Sequence, residues 1–172
     1  MMAITLNGNG AVTGLSALPD SAMSSGSIIQ VVTAGTNAQI SSTTNTLAEI
    51  TSDLRVSITP TNANNLILVQ GFFGSISSAA HVLTFQIMKD GTTAVDAPNS
   101  SGVNTDGNAQ FWSSGDYFSN ASTCVSETAG STSTRYYTPF WSINTATAYL
   151  NSYRLTSSYK GTSRMIAMEI VA

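Results

Sequence analysis

The chain has 172 residues and a mass of 17.9 kDa, enough for one domain with a real core, and its 42% hydrophobic content excludes a disordered polymer. Charged residues make up only 9%, against about 25% in a typical soluble domain, and Ser and Thr fill the gap. The net charge is −3 and the six Lys and Arg are never adjacent, so the clustered cations that follow a phosphate backbone are missing and no nucleic-acid partner is expected.

In chain order, "MMAITLNGNG" lacks a basic leader and a long apolar run, so it does not read as a signal peptide. Residues 1–26 carry glycines, small residues and Pro19, with no aromatic and no Lys or Arg. They read as an extended N-terminal arm with one short strand at Ala3–Leu6, either mobile or used for docking. From Ser27 onward the pattern alternates. "SIIQVVTAG" is rich in β-branched residues, and "DLRVSITP" sets Leu54, Val56 and Ile58 against Arg55, Ser57 and Thr59 before Pro60 ends the run. Between them, "TLAEITSDL" offers two weak helical turns, but its Thr content favours strand or loop. "NLILVQGFFGSIS" reads as a longer, more buried strand, too short and polar to cross a bilayer, so no membrane insertion is expected. "HVLTFQIMKDGTTAV" reads as a hairpin turning at Asp90-Gly91. Further strand-like runs follow at "NAQFWSSGDYFS", "STCVSET", "TRYYTPFWSIN" and "TAYLNSYRLTSS", and "SRMIAMEIVA" closes the series. About nine or ten short strands at 8–12 residue spacing predict an all-β sandwich or jelly roll over residues 27–172.

The chemistry-bearing residues are sparse. His81 is the single histidine, with no H-x-x-x-H or H-x-E spacing, and no G-x-S-x-G is present, so neither a metal site, a cofactor site nor a serine nucleophile is expected. Cys124 excludes an internal disulfide and reads as a small buried hydrophobe. Gly8, Gly10 and Gly14 have the wrong spacing for a phosphate loop, and no Lys lies nearby. No carboxylate pair proposes itself for glycan hydrolysis. The chain reads as a non-enzyme. Its aromatics are the richer signal. Trp112 and Tyr117, beside Asp, Asn and Ser, are candidates for stacking on a glycan. In "RYYTPFWSIN", Tyr137 and Trp141 share one face and Tyr136 and Phe140 the other, provided the strand runs through Pro139. Apolar residues on both faces suggest a core side and a side against a neighbouring subunit.

Taken in order, "SIIQVVTAG", "DLRVSITPTNANNLILVQGFF", "FQIMKDGTTAV" and "GTSRMIAMEIVA" resemble the strands of tailed-phage (cyanophage-like) virion structural proteins. "AITLNGNGAVTGLSALP" is similar to their glycine-rich leader. The resemblance implies a jelly roll of the tumour-necrosis-factor-like kind, a homotrimer on the virion assembled in the host cytoplasm. Its members are fibre tips, head fibres or capsid decoration (cement) proteins. It further implies that residues 1–26 dock onto another virion protein of the capsid or tail, since no coiled-coil, collagen or β-helix shaft is present. A receptor-binding module for host surface glycan is the alternative.

The closing run poses its own problem. Alternation assigns Ile166, Met168 and Ile170 to the core and leaves Met165, Ala167, Glu169 and Val171 as a subunit contact. Glu169 would then need a cation or backbone donors, with Arg135, Arg154 and Arg164 as the available cations, from the same chain or across the interface. The expected interface is therefore Glu169, Met165, Ala167, Arg164 and Arg154, with Tyr136 and Phe140.

Overall fold

A computed structural model describes residues 5–6, 12–13, 22–78, 82–96, 107–112, 118–153 and 156–172. Strand β1 (Thr5–Leu6) pairs antiparallel with β2 (Val12–Thr13). Then come β3 (Ile28–Thr36), β4 (Ile40–Ser42), β5 (Ala48–Glu49) and, after a 3-10 turn at Ser52–Leu54, β6 (Val56–Ile58). The middle of the chain forms β7 (Leu66–Ser78), β8 (Val82–Lys89), β9 (Thr93–Ala94), β10 (Ala109–Trp112) and β11 (Phe118–Thr128). The last group is β12 (Arg135–Ile143), β13 (Ala148–Leu150), β14 (Ser152–Tyr153), β15 (Thr156–Lys160) and β16 (Ser163–Ile170). The turn in "TLAEITSDL" is capped by Thr51, whose hydroxyl accepts from the Asp53 N–H, and it drops Leu54 into the core.

Two sheets face each other. The first runs β3-β16-β7-β11, and the second runs β10-β8-β12 with β5 and β6 sharing the next position. Taking β5 and β6 as one place, the eight positions stand in the orders 1-8-3-6 and 5-4-7-2. The neighbours 1·8, 2·7, 3·6 and 4·5 are those of one long hairpin wound around a barrel, which is a jelly roll. The long β7 carries β11 along one edge and, on the other, β16 followed by β13 and β4.

Local chemistry explains the joints. Asp90 and Gly91 both take positive φ, 51° and 70°, as the turn after β8 requires. Pro139 lies within β12, between two neighbours, where a missing N–H would break a ladder. Its carbonyl accepts from the Ile50 N–H, so its nitrogen faces the same side, into the gap between the β6 pairing at 135–137 and the β5 pairing at 140–141. The strand therefore runs unbroken, with Tyr137 and Trp141 inward and Tyr136 and Phe140 outward.

The core is apolar and aromatic where the sheets meet. Phe73 of β7 stacks on Phe85 of β8 with centroids 4.6 Å apart, and Trp141 of β12 lies 6.3 Å beyond. In β16 the expected faces are exchanged: Met165, Ala167, Glu169 and Val171 point inward, and Ile166, Met168 and Ile170 lie on the half-buried outer side. Met165, Ala167 and Glu169 are each 0% exposed, which removes them from any subunit contact in this fold. Cys124 likewise departs from expectation. It is exposed, because Thr123 and Val125 take the inward positions of β11.

Candidate functional surface

All three glutamates are committed within the chain. Glu169 sits at the end of the sandwich, where the loop after β6 crosses between sheets. Its Oε1 accepts from the Thr61 N–H (2.8 Å), the Thr61 hydroxyl (2.7 Å), the Asn62 N–H (3.3 Å) and the Asn65 amide (2.8 Å). The expected backbone donors are thus present, and among the described residues no cation pairs with Glu169. Asn65 completes the plug: its Oδ1 accepts from the Ala172 N–H and its carbonyl from the Ala129 N–H. Arg135 turns elsewhere, donating to the carbonyls of Ala129, Ser131 and Ser133. Arg154 and Tyr117 lie outside the described residues, as does the side chain of Trp112.

Glu127 of β11 joins the sheets. It accepts from the Tyr137 hydroxyl and from Lys89, each at 2.6 Å, with Arg135 4.0 Å away. Burial, and then donation to Glu127, holds the Tyr137 phenol far above the usual tyrosine range. Glu49 makes a bidentate pair with Arg55, both contacts 2.6 Å, and accepts from the Thr138 hydroxyl at 2.7 Å. The Arg55 guanidinium also covers the Tyr136 ring, 4.8 Å from its centroid. Tyr136 is thus partly covered by its own chain.

The Arg55 hydrogen bond holds the Glu49 carboxyl below its ordinary value despite burial, with Thr138 adding to the effect. A depressed folded value means that folding favours the carboxylate. The contribution is present at neutral pH and is lost as pH falls through the carboxylate range, below about pH 4. Arg55→Ala is therefore expected to lower the urea midpoint at pH 7 and to converge with the unchanged protein at pH 3. A gap that stays constant across this range would contradict the pairing.

What is left open is the outer face of the first sheet. Register aligns its side chains in rows across β7, β16 and β3: Leu66, Ile170 and Ile28; Leu68, Met168 and Val31; Gln70, Ile166 and Thr33; Phe72, Arg164 and Gly35. Ile28, Val31 and Phe72 are 53%, 54% and 46% exposed. β11 continues the rows with Thr128, Ser126, Cys124 and Ser122. The face thus grades from two apolar rows to a mixed end, bordered by hydroxyls. Of the expected interface residues that are described, Arg164 alone stands on it. The apolar runs "SIIQVV" and "NLILVQGFF" carried the signal, since both had hydrophobic residues to spare after one face was assigned to the core.

No protein-family model and no curated protein matches this chain. Among solved structures it is similar to a chain of infectious bursal disease virus, Gt strain, at 19% identity and a TM-score of 0.28, over 100% of this chain and 43% of that one. The corresponding Gx strain structure gives 15% identity and a TM-score of 0.26, over 99% and 46%. The chain thus spans less than half the length of either, and superpositions this loose say nothing about function.

Proposed function

We propose that this chain is a non-enzymatic virion structural subunit, a jelly-roll knob that forms a homotrimer and attaches to the particle through residues 1–26. The observation that carries the reading is the apolar outer face of β3, β16 and β7. Across three strands about 4.8 Å apart, its two apolar rows about 6.8 Å apart give roughly 200 Å² in projection. Adjoining rows of exposed apolar side chains suit a contact with another chain, though the area is about a quarter of one partner's share in a standard interface. A threefold ring adds to this area, because each chain then uses two surfaces, and β3 offers the sheet's terminal edge beside the patch. The partner on the face is a second copy, since the surface has almost no charge with which to select a different protein. The resemblance of the sequence to tailed-phage virion proteins supplies the setting.

Sedimentation velocity on the full chain tests the association: a trimer is expected at micromolar concentration, and a monomer throughout would refute it. Removing residues 1–26 should preserve the trimer and abolish its attachment to particles. Attachment that survives the deletion would put the docking element elsewhere.

A further inference from the structure

At the mixed end of the same sheet two depressions adjoin. One, of about 500 Å³, is lined by Phe72, Asn120 and Ser122 among others; the next, of about 510 Å³, by Arg164 and Asn37. Thr162 borders both. Two sequence features build this relief. Gly74 lets the turn at Gly161–Thr162 settle onto β7, where a Cβ would stand 2.6 Å from the Thr162 carbonyl oxygen. A register shift between Ser119 and Ala121 sets Asn120 of β11, at the rim, against two residues of β7, Gly74 and Ser75, so that β7 bulges there. Arg164 is exposed, and among the described residues no carboxylate lies within ion-pair distance of it. Of the other cations whose side chains are described, Arg55, Lys89 and Arg135 each face a glutamate.

The lining therefore combines an open aromatic ring, short hydroxyl and amide side chains, and one uncommitted guanidinium. Each matches a different part of one ligand. The C–H face of a pyranose is apolar and stacks on an aromatic ring. Sugar hydroxyls need short neutral donors and acceptors, and a sugar carboxylate is matched by the planar fork of arginine. A nucleotide or phosphate would call for a cluster of cations or a cradle of N–H groups. We propose that these depressions bind an acidic saccharide of the uronate or sialate class, Phe72 stacking on a ring and Arg164 pairing with its carboxylate. The site is separate from the proposed subunit contact, because Phe72 lies six residues along β7 from Leu66, about 20 Å from the most apolar row.

The test is the full-length protein on an array of uronate- and sialate-containing oligosaccharides and their neutral counterparts, followed by titration of the best acidic oligosaccharide. The acidic form should bind about tenfold tighter than its neutral counterpart, with the difference shrinking in high salt. Arg164→Ala should remove this preference, Arg164→Lys should keep part of it, and Phe72→Ala should weaken both forms. Failure to retain any acidic glycan, or unchanged binding in Arg164→Ala and Phe72→Ala, overturns the proposal. Sedimentation of the same variants separates the two readings. If they dissociate the oligomer, a second copy occupies the groove and the saccharide assignment fails; if they leave it intact, the saccharide site stands or falls on the titration alone.

Discussion

Glu169→Ala is expected to lower the free energy of unfolding by about 3 kcal/mol, because the donors gathered on one carboxylate oxygen lose their acceptor together. The Asn65 amide suffers most, since Asn65 is 2% exposed and water does not replace the lost partner easily. Thr61 and Asn62 are exposed and can turn to solvent, which keeps the loss moderate rather than catastrophic. For a domain of this size the change corresponds to a fall in Tm of about 8 °C. Glu169→Gln is the informative partner variant. It retains an acceptor oxygen for the same donors, and the oxygen it replaces, Oε2, is buried with no hydrogen-bond partner among the described residues. It should therefore stay within about 1 kcal/mol of the unchanged protein. Thermal melts of both variants check this, and an alanine variant as stable as the glutamine one would show that the cradle contributes nothing.

Val31→Asp and Ile28→Asp should each convert the proposed trimer to monomer, with association weakened at least about a hundredfold. Both side chains are more than half exposed in the single chain, so the substitutions should change folding stability by no more than about 0.5 kcal/mol. Within an apolar contact, by contrast, each would bury a carboxylate with no partner, and three copies would be brought close around the axis. Ser57→Asp, on the exposed side of β6 in the opposite sheet, is the control and should leave sedimentation unchanged. Equal sedimentation of all three variants and the unchanged chain would place the contact elsewhere.

These two predictions rest on opposite sides of β16, and the sequence read those sides the wrong way round for an understandable reason. Hydrophobicity cannot orient a strand whose two faces are Met165, Ala167 and Val171 against Ile166, Met168 and Ile170. The tie was broken by Glu169, since a carboxylate ordinarily turns to solvent or to a cation. What holds it inward is the loop Thr61–Asn65, more than a hundred positions away, and no local pattern connects the two. The strands themselves were legible wherever only one face is buried. In "DLRVSITP" the alternation of Val56 and Ile58 with Ser57 matches the structure residue by residue. Pairing was also visible in "RYYTPFWSIN", because the aromatic spacing survives the proline. The groove at Arg164 was hidden, as it depends on a glycine and a bulge in β7, a rim residue of β11 and a turn before β16 meeting at one corner.

The winding of the jelly roll also sets when the chain becomes sticky. β16 is the eighth position yet lies between the first and the third, so it supplies the middle strand of the outer apolar face. Until it is inserted, β3 and β7 have no common neighbour, and the rows of Ile28, Ile170 and Leu66 do not exist as a surface. Such long-range pairing is slow to form, and a half-made chain exposes isolated strands rather than an assembly-competent patch. During synthesis, copies emerging from one message would therefore begin to recognise each other only after each has closed its own barrel. The proposed oligomerisation would thereby be postponed to the last step of folding by topology alone.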